Sequence, residues 1–204
     1  DWGYRELAEI DLPATLDAIR QRFGERPIYA LGHSLGGQVA CLHAAASPGE
    51  IAGVALIASC SVHYQGWGFP RSMGTLLFTQ LVGITARLAG YFPGERLRFA
   101  GQEARRQMLD WAHNARTGRW QIAGSSHDYE QLLAKVEVPV LAMSLEGDTY
   151  APRKAVENQL AKLPAAEVTR HHWTTADMDR GGLHHFRWVR HSEPVARMVK
   201  AWIG

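Results

Sequence analysis

Cysteine is nearly absent: Cys41 and Cys60 are the only two in 204 residues. Two thiols in apolar segments cannot make a disulfide framework, and they suit a reducing compartment, so the expected location is cytoplasmic. No Cys/His spacing of a zinc site occurs, and no cofactor is expected. Runs of lysine and arginine are also missing. With 22 Lys and Arg against 20 Asp and Glu, the net charge of +2 gives no argument for a nucleic-acid partner. Internal repeats and low-complexity tracts are absent. One stretch apolar enough to raise a membrane span, residues 73–92, carries Gln80, Arg87 and several Gly and Thr residues, which argues against it. The chain opens on Asp1 rather than Met, so the lack of a visible leader peptide carries no weight. What is left, 46% hydrophobic and 21% charged, is ordinary globular composition, enough for one domain or one domain carrying an insertion.

The strongest positive signal is Ile28-Tyr29-Ala30-Leu31-Gly32-His33-Ser34-Leu35-Gly36-Gly37. An apolar, strand-forming run ends abruptly in Gly-x-Ser-x-Gly, and a helix-compatible run, Gln38 to Ala46, follows. This is the pattern of a nucleophile elbow, in which a serine on a sharp strand-to-helix turn projects its hydroxyl clear of the sheet. The expectation is that the flanking glycines are there because the turn leaves no room for side chains, and that Ser34 sits in a strained backbone conformation. The Leu35 amide would then point to where an oxyanion forms, at a helix N-terminus.

Apolar residues at helical intervals predict an amphipathic helix over Glu6 to Phe23, with Pro13 kinking or restarting it. Ile28 to Leu31 and Ile51 to Ala58 read as buried parallel strands. From about Cys60 to Leu133 no clear strand is visible. Met73, Leu76, Leu77, Gln80, Leu81, Ile84 and Leu88 form a helical stripe, and Glu103 to His113 reads as another helix. Strand–helix alternation resumes with Val138 to Ser144, a helix from Arg153 to about Leu163, a strand over Glu167 to Trp173, a polar loop to Leu183 and a closing helix, Val189 to Ile203. The expected fold class is therefore α/β, a parallel sheet flanked by helices. Residues 1–59 and 134–204 would form one composite core, with 60–133 inserted as a helical cap.

A working serine needs an acid and a histidine. Asp148 lies just beyond the carboxyl end of the Val138 strand, on the side where ligands bind in open parallel sheets. Its alternative role is capping the helix that follows. Glu146 competes but lacks the Gly-Asp turn. His184 and His185 both fall after the last strand and before the final helix, and position alone leaves the choice open. His33, inside the elbow, reads as a packing or hydrogen-bonding residue beneath it. His171 and His172 belong to a strand, and His191 to the last helix.

From the elbow to the closing helix, the chain resembles the α/β-hydrolase fold superfamily, and more narrowly a bacterial group of predicted α/β-hydrolases. The residues that carry the likeness are Pro27 to Ser34, Pro139-Val140-Leu141 with Asp148-x-Tyr150-Ala151, and His185-Phe186-Arg187-Trp188. The resemblance favours His185 over His184 and implies an order Ser34, Asp148, His185. It implies a serine hydrolase acting on a carboxylic ester or related small acyl compound, with Ser34 as nucleophile, His185 as base and Asp148 as its orienting acid. Leu35 would be one oxyanion donor, and His33, Trp67, Phe69 and Trp111 are candidates for an apolar acyl pocket. Acyl transfer with the same three residues, and a non-enzymatic binding protein on this fold, are the alternatives. The resemblance further implies strands ahead of the first helix, beside the Ile28 strand, and a second oxyanion donor from a loop among them. Without such strands the Ile28 strand is an exposed apolar edge. The expectation is that these residues form the C-terminal part of a larger hydrolase, completed by the missing N-terminal part of the same fold, with a homo-oligomer as a further option.

Overall fold

A computed structural model describes every residue except Arg98, and the Leu97 side chain is likewise outside the described part. The chain starts in a helical run: α1, Tyr4–Glu6, a π-helical turn, Leu7–Asp11, and α2, Leu12–Phe23. Pro13 accounts for the seam. Proline offers no N–H to the preceding helical turn, so a carbonyl there is released at the seam. The wider π turn directs the Ala8 carbonyl to Nδ1 of buried His43, 3.0 Å away. Tyr4 is anchored as firmly: its hydroxyl donates to Gln38 Oε1 at 2.7 Å, and Gln38 Nε2 donates to the Cys60 carbonyl at 2.7 Å.

The central sheet has four parallel strands, β1 (Tyr29–His33), β2 (Gly53–Ile57), β5 (Val140–Leu145) and β6 (Val168–Trp173), in the order β1-β2-β5-β6. The middle pair is buried throughout, as continuous apolar runs in a sheet covered on both faces should be. At the outside, β1 pairs only with β2 among the described residues, and Leu31 is half exposed there. Helix α3, Leu35–Ala46, follows β1 directly, and its small residues let it lie close on the sheet.

Between β2 and β5 the chain leaves the sheet. Helix α4, Arg71–Ala89, and α5, Arg105–Thr117, pack on each other, joined by a hairpin of β3 (Tyr91–Pro93) and β4 (Gln102–Ala104). These strands correct the expectation of a strand-free segment; three residues each are too short to show a period of two. Helix α6, Tyr129–Leu133, is equally short and starts at an Asp128 side-chain cap. Helices α7, Arg153–Leu160, and α8, Glu193–Ile203, complete the chain.

The stripe on α4 faces an unexpected way. Its buried side is made of Thr79, Val82, Gly83 and Ala86, and Gly83 comes close enough to Ala112 that an added Cβ would lie 2.9 Å from its methyl. Small residues win the packing because they let two helices approach. The large apolar residues Met73, Leu77, Leu81, Ile84 and Leu88 are left facing solvent. Even so, no helix among the described residues is long and apolar enough to cross a membrane.

Candidate active site

Ser34 stands between the last residue of β1 and the first of α3, at φ 49° and ψ −116°. That positive φ is costly for a residue with a side chain, typically about 1–3 kcal/mol. The fold holds it there through the Ser34 N–H donating to the Ile57 carbonyl at 3.1 Å and the Ser34 carbonyl accepting from Gly37 N–H at 3.1 Å. Sterics explain two glycines but not all three. A Cβ on Gly32 would lie 2.4 Å from the Gly37 backbone, and one on Gly37 would lie 2.5 Å from Ser59 Oγ. Gly36, within the Gly-x-Ser-x-Gly pattern itself, has open space around it, so crowding is not its reason.

Downstream, β5 ends and turns at Gly147, φ 73°, into Asp148. The Asp148 side chain makes the turn itself: Oδ1 accepts from the N–H groups of Tyr150 at 2.8 Å and Ala151 at 3.0 Å. Oδ2 is left for His185, whose Nδ1 is 2.8 Å away. On the other side of the same ring, His185 Nε2 is 3.1 Å from Ser34 Oγ. His185 and Asp148 are both buried. Burial would raise the Asp148 pKa, but the hydrogen bond and charge of His185 and the two amides outweigh it together, so it lies below the ordinary aspartate value. The carboxylate is ionised and oriented at neutral pH.

His184 points elsewhere: it is exposed, and its Nδ1 accepts from Phe186 N–H at 3.2 Å. Glu146 is taken up by the Thr175 N–H at 3.1 Å, outside the Ser34–His185–Asp148 line. His171 stacks on Trp173, and His172 Nδ1 bonds Ser144 Oγ at 2.8 Å, both on β6. His33 lies against His185, ring centroids 4.8 Å apart, and also meets Trp188. Burial and the neighbouring His185 both depress its pKa, which favours the neutral ring. Tyr150 and Phe186 close on the His185 ring from other sides, at 5.2 and 4.6 Å. Both belong to the motifs that carry the resemblance, but neither was given a role at the site from the sequence, although Tyr150 follows Asp148 by the two-residue step of an Asp-centred turn, which is a usable signal.

The proposed pocket aromatics separate. Trp67 reaches the Asp148 loop, its Nε1–H donating to the Thr149 carbonyl at 2.8 Å. Phe69 is 87% exposed. Trp111 packs on Phe99 and the apolar cluster between α4 and α5. Leu35 opens α3, so its N–H has no acceptor within the helix and stands free beside Ser34. Cys41 and Cys60 are buried free thiols, and burial pushes Cys41 up to about 12 and Cys60 higher still, so neither is a thiolate at neutral pH.

A family model described as "alpha/beta hydrolase fold" matches residues 4–173, a span that takes in Ser34 and Asp148 and ends before His185. No curated protein matches the sequence. Among solved structures, the chain is similar to a monoacylglycerol lipase from Paleococcus ferrophilus, with a TM-score of 0.60 at 15% identity over 98% of this chain and 75% of the other. It is also similar to a bromoperoxidase from Bacillus anthracis, with a TM-score of 0.55 at 14% identity over 100% of this chain and 76% of the other.

Proposed function

This chain belongs to the α/β-hydrolase fold family, and from that premise we propose that it is a serine hydrolase cleaving a carboxylic ester or related acyl compound through Ser34, His185 and Asp148. The observation that carries the reading is the continuous line of two hydrogen bonds from Asp148 Oδ2 through the His185 ring to Ser34 Oγ. Serine alone is a weak nucleophile at neutral pH, and an adjacent imidazole that accepts its proton corrects that.

Each step follows from an atom in place. His185 Nε2 takes the proton as Ser34 Oγ attacks the substrate carbonyl carbon. Asp148, held by two backbone amides, keeps Nδ1 protonated and stabilises the imidazolium without itself taking the proton. Negative charge that develops on the carbonyl oxygen meets the Leu35 N–H and the positive end of α3, and one such donor is worth about 3–4 kcal/mol of barrier. His185 then returns its proton to the leaving oxygen, the alcohol departs and an acyl-Ser34 ester remains. Water, deprotonated by His185, attacks that ester, and carboxylic acid leaves with Ser34 regenerated. Trp67, held on the Asp148 loop, is an apolar side chain available to an acyl group.

The test is labelling with a fluorophosphonate probe, alongside hydrolysis of p-nitrophenyl esters of graded chain length. The parent protein is expected to label and to release p-nitrophenol. Ser34→Ala should lose both, with a fall of at least ~10³-fold in turnover. Labelling that survives Ser34→Ala removes Ser34 as the nucleophile.

A further inference from the structure

Helix α4 turns its large apolar residues outward. Met73, Leu77, Leu81, Ile84 and Leu88 are each between 45% and 83% exposed. At about 100° per residue these five fall within an arc of about 80°, along a helix about 28 Å long. Its 19 residues include no acidic side chain. Phe69, the most exposed aromatic, lies just ahead of its first turn.

One border of this stripe carries exposed arginines. Ile84 and Arg87 of α4 also line an open groove of about 980 Å³, whose opposite wall carries His113, Arg116 and Arg119. The guanidiniums of Arg87, Arg116 and Arg119 are exposed and form no ion pair among the described residues. Of the carboxylates of the groove, only Glu130 is paired with a cation, and Asp110 and Asp128 accept from backbone amides. Asp110 accepts from the Ala123 N–H, Asp128 caps α6, and Glu130 holds Lys162 at 2.6 Å and the Trp120 N–H at 2.7 Å. The groove therefore presents three exposed guanidiniums, none in an ion pair among the described residues, directly beside exposed apolar surface.

We propose that the α4 stripe and the Arg87–Arg116–Arg119 cluster together form a docking surface for an anionic lipid membrane, on which α4 lies in the interfacial plane. Apolar side chains enter the headgroup–acyl boundary, while the arginines at the border meet lipid phosphates. The charge decides between occupants. A lipid surface of negative charge complements the cluster, whereas a second copy paired through the stripe would bring the same arginines and no acidic side chain of α4 to meet them. The docking involves no part of the Ser34 line and stands whether or not that line is catalytic.

Co-sedimentation of the intact chain with vesicles tests this, comparing phosphatidylcholine alone with phosphatidylcholine mixed with phosphatidylglycerol. Binding is expected to the phosphatidylglycerol vesicles, weakening as salt is raised. Replacing Arg87, Arg116 and Arg119 together by Gln should cut the partition coefficient by about 100-fold, near fivefold for each charge. Leu81→Asp should cut it tenfold or more while leaving the circular dichroism spectrum and ester hydrolysis unchanged, because Leu81 supports no core. Equal binding to both vesicle types, no binding to either, or binding untouched by both variants would overturn the proposal. So would a concentration-dependent dimer in sedimentation velocity that Leu81→Asp dissociates, which would assign the stripe to a second copy.

Discussion

The carboxyl end of the sheet and the α4–α5 pair spend their residues in opposite ways. Beyond β1 and β5, two buried polar side chains are fully committed: Asp148 uses both oxygens, and His185 both ring nitrogens. On α4 the large apolar side chains of Met73, Leu77, Leu81, Ile84 and Leu88 are exposed. A buried polar group without a partner is expensive, so the first region tolerates one arrangement. An exposed leucine costs little to the fold, so the second region is free to serve an outside partner. One region is specified by hydrogen-bond geometry, the other by what it leaves unsatisfied.

That contrast can be broken most severely at His185. His185→Ala should lower ester hydrolysis by roughly 10³-fold or more, while His184→Ala stays within a few fold, read as kcat/KM on a p-nitrophenyl ester. If His184→Ala is the damaging change, the geometry around Ser34 has been misassigned.

Stability separates the regions next. Leu56→Ala, in the buried centre of β2, should cost about 2–5 kcal/mol. Leu81→Ala, on the open face of α4, should stay within about 0.5 kcal/mol. Urea unfolding of both variants makes the comparison, and equal losses would mean that the α4 face is covered.

A smaller effect probes the elbow. Gly37→Ala drives a methyl into Ser59 and should destabilise by about 1–3 kcal/mol. Gly36→Ala meets no neighbour and, inside α3, should be neutral or slightly stabilising, because alanine is the better helix residue. Thermal melts distinguish them.

The smallest effect is in acid. The Asp148 pKa is lowered by folding, so its contribution is present above the unfolded value of about 4 and is lost as pH falls through the lower folded one. Between about pH 5 and 8 this group should leave the urea midpoint unchanged. Below about pH 4 the midpoint should drop, and the drop should be smaller in Asp148→Asn. The open face of α4 has no part in this dependence.

Much of the core was legible because its strands are continuous apolar runs bounded by turns. Ile51 to Ala58 and Val138 to Ser144 contain β2 and most of β5 to within two residues at the start of each. Residues that turn the chain announced themselves too: Gly32-x-Ser34, Gly147-Asp148 and Pro13. Short elements did not. β3, β4 and α6 are held by pairing, packing or one cap rather than by a periodic pattern, so nothing in three to five residues could reveal them. The direction of the α4 stripe was illegible for another reason: apolar periodicity tells that one side differs, not which side meets the neighbouring helix.

Local chemistry along the chain thus determined the α/β class, the strand-to-helix turn at Ser34 and the order of serine, acid and histidine candidates, because each depends on residues adjacent in sequence. Which of two neighbouring histidines faces Ser34 is a matter of where a loop folds back across 151 positions, and only the tertiary structure decides it. The same holds for α4. Five large apolar residues were always on one side of that helix, but Gly83 and Ala86, by permitting close approach to α5, determined that the side they occupy would be the outer one.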